Sequence, residues 1–312
     1  MPILSFYLFG KFRVQYLGQD WSGHENLKAQ QLLWYLLIKG VDPHRREHLA
    51  SLLWGDCSTA QSKKYLRKLL WQFQSACESQ LGTTEGRLLL VTPELVRLNP
   101  GLDLWVDVAD FEMALAESQS CAELDEPGAE RLRRAARLYQ GDLIEGCYED
   151  WLLYERERLH GMYLVALNKL IEYCESHQAY EEGLDYCARI LHYDPACERT
   201  HRYMMRLHYR GGNRSAAIRQ YQRCVGALRQ EFGVSPTECT IRLYEKIRND
   251  QLEGDMPAAA PDRDAAPSPS APSPLLDHFK QLQVMLADLQ GALQREILIV
   301  EQGLPVQSRL DP

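Results

Sequence analysis

Apolar residues open the chain in short runs. Ile3 to Phe9 and the stretch up to Tyr16 are rich in aromatic and aliphatic residues and are interrupted at Gly10-Lys11 and Gly18-Gln19, which predicts two or three short strands. The pattern then changes to helical spacing. Leu27 to Ile38 predicts one buried helix stopped by Gly40, and Arg45 to Trp54 predicts a second, with Leu49, Leu52 and Leu53 on one face. A third helix is expected from Ser58 or Thr59, either of which can cap it, to about Cys77. Leu88 to Val91, the turn Thr92-Pro93-Glu94, and Leu95 to Leu98 predict a hairpin. Strands, three helices and a closing hairpin are the order of an α+β winged helix-turn-helix.

From Val108 to Asp250 the spacing is helical throughout. Ala179 to Cys187 aligns with Asn213 to Tyr221 at an interval of 34 residues, with Gly183 and Ala217 in the small position and Leu184 and Ile218 in the apolar one. The first unit closes on Tyr193-Asp194-Pro195. That period and pattern predict tetratricopeptide-like helix pairs, in which small residues permit close packing and Pro ends the second helix. Residues 251–274 are rich in Pro, Ala, Ser and Asp and predict a disordered linker. Residues 275–303 predict an isolated amphipathic helix. Its stripe Leu275, Phe279, Leu282, Leu286, Leu289 and Leu293 steps by 4, 3, 4, 3 and 4, a heptad-like seam. Such a seam pairs with a second copy, folds back or binds a partner, and a homodimer through this helix is the leading expectation. The expected fold class is mainly α, divided into a winged helix at 1–107, a helical domain at 108–250, the linker and the last helix.

The 312 residues have a mean hydropathy of −0.38 and no apolar run long enough to span a bilayer, so no membrane partner is expected. No signal peptide is read at the amino end, and the nine cysteines read as reduced thiols of a cytoplasmic protein. The net charge of −8 argues against nonspecific nucleic-acid binding by the whole molecule. Its distribution changes that picture. Residues 1–108 carry 12 Lys+Arg against 10 Asp+Glu, whereas 109–250 and 251–312 are each net −5.

The basic excess concentrates in 44–68, at Arg45, Arg46, Lys63, Lys64, Arg67 and Lys68. In the third helix Leu66, Leu69, Leu70 and Phe73 share an inner face, while Gln61, Lys64, Arg67, Lys68, Trp71 and Gln72 lie opposite. A major groove admits one helix, and Arg, Lys and Gln reach its phosphates and base edges. Double-stranded DNA is therefore the expected partner, with Arg45, Arg46, Lys63 and Arg97 as flanking contacts. Trp71 reads as a groove contact or as a half-buried packing residue. A solvated basic helix on a protein-contact module is the alternative.

Arg199, Arg202, Tyr203, Arg206 and Arg210 form a second basic lane. It reads as an exposed stripe or as a groove for an acidic or anionic partner. No catalytic motif, no Cys-x2-Cys pair and no phosphate-binding loop occurs, so no enzyme activity, metal or cofactor is expected.

Several stretches resemble the SARP-type bacterial transcriptional activators. They are Leu27 to Leu37, Arg46 to Asp56 with Leu53-Trp54-Gly55-Asp56, Leu66 to Leu70, Leu104 to Phe111, Tyr139 to Ile144, Trp151 to Leu159, and Glu231 to Glu238 with Phe232-Gly233-Val234-Ser235-Pro236. The resemblance implies a winged helix followed by a bacterial transcriptional activator domain (BTAD), promoter binding at repeats and contact with RNA polymerase. No receiver domain precedes the winged helix in this sequence, so phosphoryl control is not expected. A tetratricopeptide-like scaffold whose winged helix contacts protein is the competing reading.

Overall fold

The computed structural model describes residues 4–21, 26–81, 87–118 and 124–252. The sequence pattern is realised in two sheets and ten helices among these residues. Strands β1 (Leu4–Tyr7), β2 (Arg13–Tyr16) and β3 (Gln19–Asp20) form an antiparallel meander. A strand that local pattern does not announce, β7 (Leu104–Val106), then pairs parallel with β1, giving the order β3-β2-β1-β7. Its partner lies about a hundred residues away in sequence, so no local periodicity reports the pairing.

Helix α1 (Leu27–Lys39) starts on Asn26, whose side chain accepts from the Lys28 and Ala29 amides. It is buried on every side from Gln31 to Ile38. Helices α2 (Arg46–Leu53) and α3 (Thr59–Leu81) pack against it. Leu32, Leu33, Leu36, Leu49, Leu53, Leu66, Leu69, Leu70 and Phe73 share one core with Val96 and Leu98. The wing is a three-stranded sheet, β4-β6-β5, built from β4 (His44–Arg45), β5 (Leu89–Val91) and β6 (Leu95–Leu98). Here the pattern reading needs correction. Arg45 is not helical: it pairs with Leu95 in β4, and α2 begins one residue later. The third helix also runs past Cys77 to Leu81.

The rest of the described chain is helical: α4 (Asp107–Ser118), α5 (Glu126–Leu138), α6 (Asp150–Ser176), α7 (Tyr180–Tyr193), α8 (Glu198–Arg210), α9 (Arg214–Glu231) and α10 (Glu238–Arg248). The 34-residue interval is physical. Ala179 N–H donates to Cys174 O and Asn213 N–H to His208 O, so the turns between α6 and α7 and between α8 and α9 close alike. Each turn contains a left-handed residue, Gln178 at φ 61° and Gly212 at φ 78°. Gly183 is the small residue the pattern required. A Cβ there would meet Leu207 Cδ1 at 3.0 Å and Cys174 Cβ at 3.1 Å, so α6, α7 and α8 converge on it. The expected linker beyond 252 and the helix at 275–303 lie outside the described residues.

Winged helix and helical domain are stitched together. Asp107, buried at the start of α4, accepts from the Leu8 and Phe9 amides at 2.8 and 3.0 Å and from Val108 N–H at 2.8 Å. Phe9 forms a bridge with Leu143, and Gly10 N–H donates to Asp142 O. Gln31 donates to Glu149, and Tyr35 sits edge-on to Trp151 with ring centres 5.4 Å apart. The carboxylate of Glu155, on the buried side of α6, takes Lys39 from α1 and Arg158 from its own helix, and Arg158 continues to Glu112. Burial opposes ionisation of Glu155, but the hydrogen bonds from Lys39 and Arg158 outweigh it and hold the carboxyl below its usual range.

Candidate nucleic-acid interface

Burial of Leu66, Leu69, Leu70 and Phe73 fixes how α3 is rotated. Its opposite side therefore faces solvent. Gln61, Lys64, Lys68 and Gln72 follow one another at steps of three and four residues, with Arg67 and Trp71 beside them, and all six are exposed. Trp71 is 69% exposed and is not a packing residue. Lys64, Arg67 and Lys68 make no ion pair among the described residues, so their charge is uncompensated. Lys63 is rotated toward α2, where it pairs with Glu47 at 2.6 Å. The hydrogen bond from Lys63 holds the Glu47 carboxyl below its usual range. Gln61 accepts from Ser58 Oγ at 3.2 Å.

The wing supplies two further cations. Arg45 on β4 lies opposite Leu95, and Arg97 follows two positions along β6, so both side chains leave the same outer face of the sheet; both are exposed. Arg46 is different. Its backbone amide donates to Glu94 O and its guanidinium to Thr92 O at 3.2 Å, so it braces the wing turn against α2.

The second basic lane is not an exposed stripe. Arg202 and Tyr203 are buried, Arg202 donating to Thr240 Oγ1 at 3.2 Å and Tyr203 to Glu172 at 2.8 Å. Arg199 pairs with Glu172 at 3.1 Å, Arg206 grips both oxygens of Glu175 at 2.7 and 3.2 Å, and Arg210 reaches Glu175 at 3.1 Å. The Arg206 guanidinium lies 4.5 Å from the Tyr203 ring centre. The neutralising carboxylates come from α6, about thirty residues upstream, which a reading of α8 alone does not see. This lane is a joint between successive helix pairs.

Burial keeps two of the helical domain's thiols protonated. Cys174 and Cys224 are each pushed up to about 12 by burial, and the seven described cysteines are all free. Among the described residues no three His, Cys, Asp or Glu side chains group to hold a metal, and no helix is long and apolar enough to cross a membrane.

Comparison with known proteins agrees with this architecture. Residues 106–248 match the bacterial transcriptional activator domain. Among solved structures, Mycobacterium tuberculosis EmbR in complex with a low affinity phosphopeptide is similar at 18% identity and a TM-score of 0.62. The likeness covers 80% of this chain and 66% of EmbR, so the chain spans just under two thirds of that protein. No curated protein sequence matches the chain. Residues 106–248 thus carry a bacterial transcriptional activator domain, and the fold of the described chain is similar to that of EmbR.

Proposed function

We propose that this protein is a sequence-specific, DNA-binding transcriptional regulator whose α3 enters the major groove. One observation carries the reading: the cationic side of α3 stands open to solvent, uncompensated, while its apolar side is spent on α1 and α2. Lys64, Lys68, Gln61 and Gln72 are the groove-facing residues in this reading, Arg67 and Trp71 flank them, and Arg45 and Arg97 take phosphates from the wing. Lys63 and Arg46 are supporting residues, because each already holds a protein partner. The BTAD assignment supports a transcriptional role, and RNA polymerase is the expected protein target of an activator of this kind. The exposed basic helix favours this reading over that of a scaffold. The heptad-like seam at 275–303 is the candidate for joining two copies, which would read two half-sites together.

Selection of bound duplexes from a random pool, followed by titration at increasing salt, tests the reading. Loss of an ionic contact lowers the salt slope by roughly 0.9 for each phosphate released. Replacing Lys64, Arg67 and Lys68 together by Ala is expected to lower it by about 0.9 for each of the three that also holds a phosphate and to abolish retention at physiological salt. Unchanged affinity in that variant would remove α3 from the interface. Light scattering of the full chain and of a chain ending at 274 tests the seam: a dimer that becomes a monomer supports self-pairing.

A further inference from the structure

The two most exposed of the described large apolar residues lie where α6 begins, and Leu153 is exposed beside them. Tyr148, two residues before the helix, is 77% exposed, Tyr154 71% and Leu153 38%. Monomeric proteins seldom leave aromatic side chains so open without a partner for them, and Tyr is enriched at the energetic centres of protein interfaces. On α6 the exposed positions Asp150, Tyr154, Glu157, Gly161 and Val165 repeat at steps of four, three, four and four, so they form one outward stripe, with Leu153 at its edge. The buried side of the same helix is occupied by Leu152, Glu155 and Leu159. The stripe is therefore not the face by which α6 joins the rest of the molecule.

Two features define what fits the stripe. Asp150 and Glu157 are exposed and make no hydrogen bond or ion pair among the described residues, and exposed Glu145 adds a third free carboxylate just before the helix. Gly161 lies within a 27-residue helix, where Gly is disfavoured relative to Ala. A Cβ at this position would meet nothing within 4 Å, so no packing inside the chain explains the small residue. With no side chain at Gly161, the helix backbone is open between Tyr154 and Val165, so another backbone can approach it closely.

We propose that the outward face of the first half of α6 is the seat for a basic amphipathic helix of a partner protein. The partner's apolar stripe would lie on Tyr154, Leu153 and Val165, its backbone would cross at Gly161, and its Lys or Arg residues would meet Asp150 and Glu157. A second copy of the chain is disfavoured, because the same face would set like carboxylates against each other, and a nucleic acid is repelled by them.

The test uses the full chain and two fluorescent 14-residue peptides of helical period, one of Leu and Lys, the other of Leu and Glu, read by anisotropy at physiological salt. The Leu/Lys peptide is expected to bind saturably. Leu153→Ser with Tyr154→Ala, and separately Gly161→Trp, are each expected to weaken it at least tenfold. Asp150→Lys with Glu157→Lys is expected to transfer binding to the Leu/Glu peptide, whereas Glu181→Lys, an exposed change on α7, is expected to leave it unaltered. All these sites are exposed, so unchanged thermal melting separates loss of the seat from loss of the fold. Three results would overturn the proposal. They are no saturable binding, affinities within twofold across the α6 variants, or equal binding of the two peptides by the unaltered chain.

Discussion

Glu155 offers the most direct test of how the winged helix is fixed to the helical domain. It is 3% exposed and joins Lys39 of α1 to Arg158 of α6. Removing one member of a fully buried pair costs roughly 3–5 kcal/mol, because a charge is left without a partner. Here the cations are not sealed in. The Lys39 and Arg158 side chains keep 38% and 35% of their exposure, and Arg158 retains Glu112 at 2.6 Å. The penalty for Glu155→Gln should accordingly fall to about 2 kcal/mol. In a double-mutant cycle with Lys39→Met, measured by urea unfolding of the full chain, a coupling of about 1–2 kcal/mol is expected. Its pH dependence has a definite sign. The carboxyl is held below its ordinary 4.5 in the folded state, so its stabilisation is present above that value and is lost as pH falls toward the lower folded one. The difference between the two proteins should therefore shrink on acidification. A coupling below about 0.3 kcal/mol at neutral pH would refute the view that this contact fastens α1 to α6.

Other measurements probe the joint and the repeat. Asp107→Ala leaves three buried amides without their acceptor and should cost about 3 kcal/mol or more in unfolding experiments. Burial, opposed by those amides, raises the Asp107 carboxyl from 3.8 to about 6, so its contribution to stability declines as pH rises between those values, by about 3 kcal/mol in all. The advantage of the unaltered chain over Asp107→Asn should then be larger at pH 5 than at pH 7, and a pH-independent difference would contradict the assignment. In the repeat turns, Gln178→Gly should stabilise by about 0.5–1 kcal/mol by relieving a left-handed non-glycine, and Gly212→Ala should destabilise by about 1 kcal/mol. Thermal melting that moves both variants in the same direction would refute the equivalence of the two turns.

What local pattern could show and what it could not differ for a physical reason. The apolar spacing of Leu66, Leu69, Leu70 and Phe73 determines which side of α3 is buried, and by subtraction which side is open. That inference needs no knowledge of the rest of the chain. The Gly183 and Ala217 positions were legible for the same reason, since a small residue at a fixed interval records how closely two helices approach. The lane from Arg199 to Arg210 looks free from α8 alone because its neutralising partners, Glu172 and Glu175, sit on a different helix. Charge on one element says nothing about the charge facing it. Strand β7, the bracing role of Arg46 and the buried role of Asp107 share that origin: each depends on a partner brought near only by the tertiary fold.

The same tertiary contacts bear on how an occupant of α6 could influence DNA. Helix α3 rests on α1, and α1 is fastened to α6 at Gln31, Tyr35 and Lys39. The stripe proposed as a partner seat lies on the other side of that same helix. Coupling between two sites requires that each bias a shared element, and it must be reciprocal in free energy. Helix α1 touches both supports. If the Leu/Lys peptide changes the affinity of the full chain for its selected duplex, the duplex must change peptide affinity by the same factor. Glu155→Gln, which loosens α1 from α6 without altering either surface, should reduce that factor toward one while leaving each separate affinity nearly intact. Retention of the full factor in the Glu155→Gln protein would mean that the signal takes another route.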